Sequence, residues 1–191
     1  SSDLSPWRPG MPLYDPCCGT GTLLIEAAHR QGHMAPGRHR SFAMETFSFF
    51  PTQTMREIRA QILDDCQPDR IDQIAGSDLD PAAIELARRH VRQAGLAGRL
   101  PLEVCPLQSL QLSQSEGVFL CNPPYGERMS DVTACRKLYR NLAVLQKRHP
   151  GWSLCAISSD AGFEKAFGRK ADKKRRLYNG RLECQFLIFA P

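Results

Sequence analysis

The sequence lacks the features of a membrane or secreted protein. None of its apolar runs approaches the roughly 20 residues that a membrane span requires. Its first residues also lack the charged and apolar regions of a signal peptide. These absences predict a cytoplasmic protein with no membrane partner.

The cysteines and histidines are not spaced as metal ligands are. Eight cysteines are present, but they form no Cys-x-x-Cys pair and no regular framework. The five histidines show no metal-ligand spacing either. We therefore expect reduced thiols and no bound metal.

A glycine loop at residues 15–22 lacks the marks of two common nucleotide-binding loops. No Gly-Lys-Ser/Thr follows it, which excludes a phosphate-binding P-loop. The dinucleotide fingerprint needs a small residue where this chain has Leu24, and its acidic partner lies about 20 residues further on. Asp78 is far beyond that distance, so NAD is disfavoured.

The chain has 191 residues, of which 42% are apolar and 24% charged, and this fits one globular domain spanning residues 1–191. The formal net charge is only +5, yet basic residues concentrate at Lys173, Lys174, Arg175 and Arg176. Such a run favours a polyanionic partner, and its alternative interpretation is an ordinary solvated face.

Strand patterns alternate with helix patterns along the chain, which indicates a doubly wound, mostly parallel sheet with helices on both faces. A closing hairpin adds one antiparallel strand and makes its turn at Asn179-Gly180. The predicted strands are 11–15, 71–78, 100–105, 117–121 and 152–158, the predicted helices are 20–30, 52–65, 81–94, 132–148 and 161–167, and the hairpin is 175–189.

An irregular segment at residues 32–51 interrupts this alternation. It contains Phe42, Phe47, Phe49 and Phe50, which are too many aromatic residues for a solvated linker. We expect an ordered insertion that lies on the core, with contact to RNA or to another domain as the alternative.

The glycine loop is suited to a nucleotide cofactor. Gly19 and Gly21 can take positive φ and let backbone amides approach a ligand, while the next helix directs its positive end inward. Asp15 ends the first strand and could accept a hydrogen bond from an amino group of the cofactor, directly or through water. Asp78 ends the second strand, where an acidic residue accepts from ribose hydroxyls in doubly wound folds.

The segment Asn122-Pro123-Pro124-Tyr125 follows the fourth predicted strand and is suited to an amino-group acceptor. An aromatic amino group is a poor nucleophile because its lone pair is delocalised into the ring. The Asn122 side-chain oxygen and the Pro123 carbonyl can each accept one of its N–H groups and orient it for attack. Tyr125 offers a stacking face, and a paired base would first have to be flipped out of its helix.

Four segments together resemble the THUMP-associated RNA guanine-N2 methyltransferases, and in particular the 23S rRNA enzymes. These segments are 15–28, 35–37, 122–128 and 174–180, and the likeness extends over almost the whole chain. The resemblance implies a class I, Rossmann-like fold and transfer of a methyl group from S-adenosylmethionine to guanine N2. It also implies that this domain follows an RNA-capturing THUMP domain, so the chain is expected to be a fragment of a longer one.

The resemblance and the residue-level reasoning define three sets of candidate site residues. Gln108 stands where many methyltransferases have an acidic residue against the adenine, and Arg128 could shape the base pocket or pair with Glu127. The catalytic candidates are Asn122, Pro123, Pro124 and Tyr125; the cofactor candidates are Asp15, Pro16, Cys17, Gly19, Thr20, Gly21, Thr22, Asp78, Leu79, Gln108 and Asn122; the RNA-binding candidates are Arg128 and Lys173 to Arg176.

Three alternatives to guanine methylation remain open. Asn-Pro-Pro-Tyr also suits the amino group of adenine in DNA or RNA, and that of a protein glutamine. A catalytically silent module that binds cofactor or RNA is the third alternative.

Overall fold

The computed structural model describes residues 5–35, 40–124 and 129–191. These residues form a seven-stranded sheet in the order β3-β2-β1-β4-β5-β7-β6. The strands are β1 Leu13–Asp15, β2 Ile74–Asp78, β3 Leu102–Val104, β4 Glu116–Cys121, β5 Gly151–Ser158, β6 Lys173–Asn179 and β7 Leu182–Phe189. The helices are α1 Thr22–Gln31, α2 Thr52–Asp64, α3 Pro81–Gln93, α4 Met129–Arg148 and α5 Phe163–Phe167, with 3₁₀ turns at Ala43–Thr46 and Pro68–Arg70.

Strands β1 to β5 pair in parallel, and β7 pairs antiparallel with both β5 and β6. The predicted doubly wound sheet with one antiparallel strand is therefore confirmed. Strand order reverses at β1 and β4, because the chain extends first to one side of the sheet and then to the other. Ligands of such sheets bind beyond the carboxyl ends of the strands at this point.

The sheet separates two apolar clusters. On one face, Leu24 of α1 and Ile84 of α3 pack against Leu13, Ile74 and Val118 of the sheet. The other face is covered by α4 and α5, whose buried aromatic residues Tyr139 and Phe163 lie 4.3 Å apart between ring centroids. Helices α1, α3, α4 and α5 are thus held on the sheet by their apolar sides, as the sequence pattern predicts.

Local sequence explains where the elements begin. Helix α3 starts at Pro81 because the Asp80 Oδ1 atom accepts a hydrogen bond from the Ala82 amide at 2.8 Å. Helix α1 starts at Thr22, two residues later than predicted, because Gly19 and Gly21 adopt left-handed φ angles of 51° and 80°. The closing turn consists of Gly180 and Arg181, one residue later than predicted, since Asn179 already pairs with Leu182.

The prediction that residues 32–51 cover the core is wrong for the aromatic part of that segment. Phe49 is 82% exposed and Phe47 is 53% exposed, and the two rings stack on each other at 5.4 Å. Helix α2 buries no residue completely. Aromatic content alone cannot distinguish a core cover from an exposed surface, because burial depends on what the rest of the fold supplies.

Candidate functional site

The loop between β1 and α1 packs tightly on β2. The Cys18 amide donates to the Ser77 carbonyl at 2.9 Å. A Cβ atom on Gly76 would lie 2.9 Å from the Asp15 carbonyl oxygen and 3.2 Å from the Cys18 Cβ. The missing side chain of Gly76 therefore leaves the space in which the loop crosses the sheet.

Asp78 fixes the conformation of the same loop. Its Oδ2 atom accepts from the Gly19 amide at 2.9 Å, and its Oδ1 atom accepts from the Asp80 amide at 3.0 Å. A carboxylate offers about four lone-pair positions, so two hydrogen bonds do not exhaust it. Asp78 can hold the loop and still accept from a ligand.

Asp15 lies beneath the loop and is only 2% exposed. Its Oδ1 atom accepts from the Cys17 amide at 3.0 Å. The pKa of this carboxyl is raised to about 8, chiefly by burial and to a lesser extent by the nearby charge of Asp78, although the hydrogen bond from Cys17 lowers it. Burial also raises the pKa of the Cys17 thiol, which makes that thiol unreactive.

The raised pKa of Asp15 predicts a pH-dependent stability. The carboxyl has an ordinary pKa of 3.8 in the unfolded chain. Between that value and about 8 the folded state binds the extra proton, so its contribution is complete at low pH and is lost as pH rises towards 8. We expect the free energy of unfolding of the wild type, relative to Asp15→Asn, to fall by up to about 1.4 kcal/mol per pH unit across this range. Urea unfolding at pH 5 to 9 measures this free energy for both proteins. A pH dependence that is the same for the wild type and for Asp15→Asn would contradict the prediction.

A cavity of about 750 Å³ opens at this edge of the sheet. Its wall brings together residues from five separate parts of the sequence. Eight of the predicted site residues line it: Pro16, Cys17, Gly19, Asp78, Leu79, Gln108, Asn122 and Pro124. Thr20, Gly21 and Thr22 lie in the same loop, where the Thr20 and Thr22 hydroxyls are 3.2 Å apart, but they are not part of the wall.

Helix α4 supplies a part of the wall that sequence reasoning missed. Ala134, Lys137, Leu138 and Asn141 face the cavity. Their spacing of three and four residues places them on one face of a helix, and this spacing is visible in the sequence. Only the folded sheet, however, brings that face over the glycine loop. Arg148 at the end of α4 donates to the Gln108 carbonyl at 2.8 Å and so fixes the loop after β3 to this helix.

The predicted acceptor segment, residues 122–125, follows β4 directly in the sequence. Its Pro124 carbonyl accepts a hydrogen bond from the Tyr139 hydroxyl at 3.0 Å. Pro123 is buried, whereas Asn122 is exposed at the cavity. Tyr125 and Arg128 lie outside the described residues.

The basic run lies within strand β6, and all four of its side chains are exposed. Lys174 forms an ion pair with Glu164, and Arg176 forms one with Glu183 at 3.2 Å. Three strand spacings of about 4.8 Å separate β6 from β4, so the run is about 14 Å from the acceptor segment.

The described parts of the chain contain no group of three His, Cys, Asp or Glu side chains that could hold a metal ion. Within the same ranges, every helix is too short or too polar to cross a membrane.

The order of the strands, the glycine loop after β1 and the cavity at the switch point define the class of Rossmann-like, S-adenosylmethionine-dependent methyltransferases. A model of the UPF0020 family, described as an RMKL-like methyltransferase domain, matches residues 2–188. The chain belongs to this family.

Known proteins support the assignment. The Legionella pneumophila (strain Corby) ribosomal RNA large subunit methyltransferase K/L is 36% identical over 178 residues, which are 92% of this chain and 25% of that protein. YpsC of Bacillus subtilis, named as a candidate RNA methyltransferase, is 31% identical over 96% of this chain and 48% of its own length. The chain therefore spans half or less of these curated relatives.

Solved structures agree with the fold and the cofactor. SMU.472 complexed with SAH superimposes with a TM-score of 0.92 and 37% identity, covering 99% of this chain and 50% of the other. A Listeria monocytogenes protein named as a predicted N6-adenine-specific DNA methylase superimposes with a TM-score of 0.92 and 37% identity, covering 100% of this chain and 49% of the other. The family and the SAH complex confirm S-adenosylmethionine as the methyl donor.

Proposed function

We propose that this chain transfers the methyl group of S-adenosylmethionine to the exocyclic N2 atom of a guanine in RNA, with 23S rRNA as substrate. The observation that carries the proposal is that Asn122 and Pro124 border the same cavity as the glycine loop and Asp78. A relative named as a methyltransferase of the ribosomal RNA large subunit supports the choice of RNA. Such a substrate puts the reaction in the cytoplasm.

The proposed cofactor site uses three parts of the cavity wall and the buried Asp15. Asp78 accepts hydrogen bonds from the ribose hydroxyls, and the loop from Pro16 to Thr22 presents backbone amides at the start of α1. Leu79, which is 70% exposed, and Gln108 contact the adenine. The buried Asp15 acts from below as a hydrogen-bond acceptor. When bound, S-adenosylmethionine supplies an electrophilic methyl group on a positively charged sulfur.

The proposed acceptor site orients the amino group. The Asn122 side-chain oxygen and the Pro123 carbonyl accept its two N–H groups, which turns the nitrogen lone pair towards the methyl group. The Tyr139 hydroxyl holds the Pro124 carbonyl, so the acceptor segment is braced from behind. Tyr125 supplies the stacking face for the base.

The basic strand and Arg128 are proposed to hold RNA phosphates. Lys174 and Arg176 already have ion-pair partners on the protein, so Lys173 and Arg175 are the better candidates for new phosphate contacts.

Replacing Lys173 and Arg175 by alanine is expected to weaken binding to a ribosomal RNA transcript and to reduce the slope of log Kd against log salt by about 1–2. Filter binding at several salt concentrations measures Kd and its slope against salt. The matched control removes two exposed charges elsewhere, Arg89 and Lys147, and should leave the slope unchanged. An equal effect of both double variants would mean that the basic strand is a solvated face.

The test of the proposed function is the identity of the product. The purified chain is incubated with S-adenosylmethionine and unmodified 23S rRNA transcript, and the digested RNA is analysed by mass spectrometry. N2-methylguanosine as product supports the proposal. N6-methyladenosine would instead mean that the acceptor is adenine, the base in the name of the Listeria monocytogenes protein. Methylation of a protein glutamine, or cofactor binding without any product, would favour the two remaining alternatives.

A further inference from the structure

The solvent-facing side of helix α4 carries three cations close together. Arg136, Lys137 and Arg140 are all exposed. Arg140 stands four residues after Arg136 and three after Lys137, and side chains at these spacings are neighbours on the surface of a helix, with about 5–6 Å between their Cβ atoms. We name these three residues the α4 cluster.

The charges of the α4 cluster are not balanced by acidic neighbours. Within the described part of the chain, none of its three side chains forms an ion pair or a hydrogen bond. In β6, by contrast, Lys174 and Arg176 are paired with carboxylates. Like charges at these spacings destabilise a helix, so the cluster lowers the stability of the free protein. An anionic ligand would compensate this repulsion.

Helix α4 is fixed to the acceptor segment at the position of the cluster. The Tyr139 hydroxyl, in the same stretch of the helix, donates to the Pro124 carbonyl at 3.0 Å. Lys137 lines the cavity of about 750 Å³ together with Asn122 and Pro124. Among the described residues of that wall, Lys137 carries the only positive charge. One member of the cluster therefore borders the space in which the target base is proposed to bind.

Arg136 lies towards the next strand of the sheet. A Cβ atom on Gly162 would lie 3.5 Å from its Nη2 atom, so the guanidinium group packs over the loop that follows β5. Cys121, at the end of β4, pairs with Ala156 of β5. This loop therefore leaves the sheet beside the acceptor segment. Lys137 and Arg136 thus stand on two sides of that segment, one at the cavity and one at the β5 loop.

A nucleotide brings negative charge to both sides of its base. The phosphates that flank it are the anionic groups closest to the reacting base, and a base that is flipped into a pocket draws them towards the rim of that pocket. Contacts to phosphates position a nucleic acid without reading its sequence. The basic run of β6 is about 14 Å from the acceptor segment, so it is placed for a more distant part of the RNA.

We propose that the α4 cluster binds the phosphates on either side of the target nucleotide and thereby holds its base at the acceptor segment. Lys137 contacts the phosphate at the cavity, Arg136 the phosphate at the β5 loop, and Arg140 supports both from the next turn of the helix. The inference rests on the proposed function for the identity of the target, because it concerns the same acceptor site.

The test replaces all three cations by glutamine, which keeps long polar side chains and removes the charges. For the variant Arg136→Gln, Lys137→Gln, Arg140→Gln we expect the Kd for the 23S rRNA transcript to rise at least about 10-fold at low salt. The slope of log Kd against log salt should fall by about 2, the value for three phosphate contacts to a single strand. Filter binding measures both quantities. The Kd for S-adenosylmethionine should stay within about two-fold.

Two further variants separate the site from charge and from folding. Glutamine at Arg56, Arg89 and Lys147 removes three other exposed cations, of which Lys147 lies on α4 about 15 Å from Lys137 along the helix axis, and should leave the slope unchanged. Exchanging lysine and arginine within the cluster keeps its charge and should keep the wild-type slope. The cluster variant should unfold at or above the wild-type temperature, because it loses the repulsion between its cations.

Two outcomes overturn the inference. One is a salt slope in the cluster variant that equals the slope of the control with Arg56, Arg89 and Lys147 replaced. The other is a weakened binding of S-adenosylmethionine with an unchanged slope for RNA, which would assign Lys137 to the cofactor. Because binding is measured apart from the product, the proposed function is tested separately. A wild type that binds RNA through the cluster but forms no N2-methylguanosine would refute that function and leave the phosphate contacts in place.

Discussion

Asn122→Ala is expected to lower the rate of methyl transfer by about 10²–10³-fold, the usual cost of removing one preorganised hydrogen-bonding group from a reacting centre. Asn122 is exposed at the cavity immediately after β4, where its side chain can reach a base and the bound cofactor together. Single-turnover transfer to the rRNA transcript measures the rate. RNA binding should persist, because the basic strand β6 lies on the far side of β5 and β7.

A second asparagine provides the comparison. Asn141 lines the same cavity from helix α4. Asn141→Ala should change the affinity for S-adenosylmethionine and leave the single-turnover rate at saturating cofactor within about three-fold. If Asn122→Ala transfers methyl groups at the wild-type rate, the proposed orientation of the amino group is wrong.

Gly76→Ala is expected to destabilise the fold by about 2–4 kcal/mol. The new Cβ would lie 2.6 Å from Leu24 Cδ1 and 2.9 Å from the Asp15 carbonyl oxygen. Leu24 is fully buried, and the Asp15 carbonyl is part of the backbone, so neither neighbour can move without displacing the glycine loop. Urea unfolding measures the loss, and the affinity for S-adenosylmethionine should fall as well because the displaced loop carries the proposed cofactor site.

Gly98→Ala is the control for this substitution. Gly98 also lacks a side chain, but a Cβ there would meet nothing within 4 Å, and only its positive φ of 74° opposes alanine. We expect a loss of about 1 kcal/mol and an unchanged cofactor affinity. Equal losses at Gly76 and Gly98 would mean that crowding at the loop is unimportant.

The site could be predicted in part because its residues are close together in sequence. Asp15 to Thr22 form one loop, Asn122 to Pro124 form another, and each follows a strand whose apolar pattern is visible in the sequence. The alternation of strands and helices then brings both loops to the same edge. Lys137 and Asn141 escaped this reasoning because they lie inside a long helix, and nothing local distinguishes a helix face that lines a cavity from one that faces solvent.

The prediction that the aromatic insertion covers the core failed for a related reason. Phe47 and Phe49 carry the apolar surface of core residues, yet no part of the described fold covers them. Burial is a property of the whole assembly of elements, and a count of aromatic residues cannot report it.

The sequence by itself determined the order of the elements, the glycine loop and the Asn-Pro-Pro segment. Each of these depends on local physics: apolar periodicity, the backbone freedom of glycine, the capping of α3 by Asp80 and the rigidity of two prolines. The tertiary structure alone decided which residues meet across the sheet, namely Gly76 under the loop and α4 over the cavity. These contacts join residues tens of positions apart, and their geometry follows from strand order and helix packing, which no local pattern encodes.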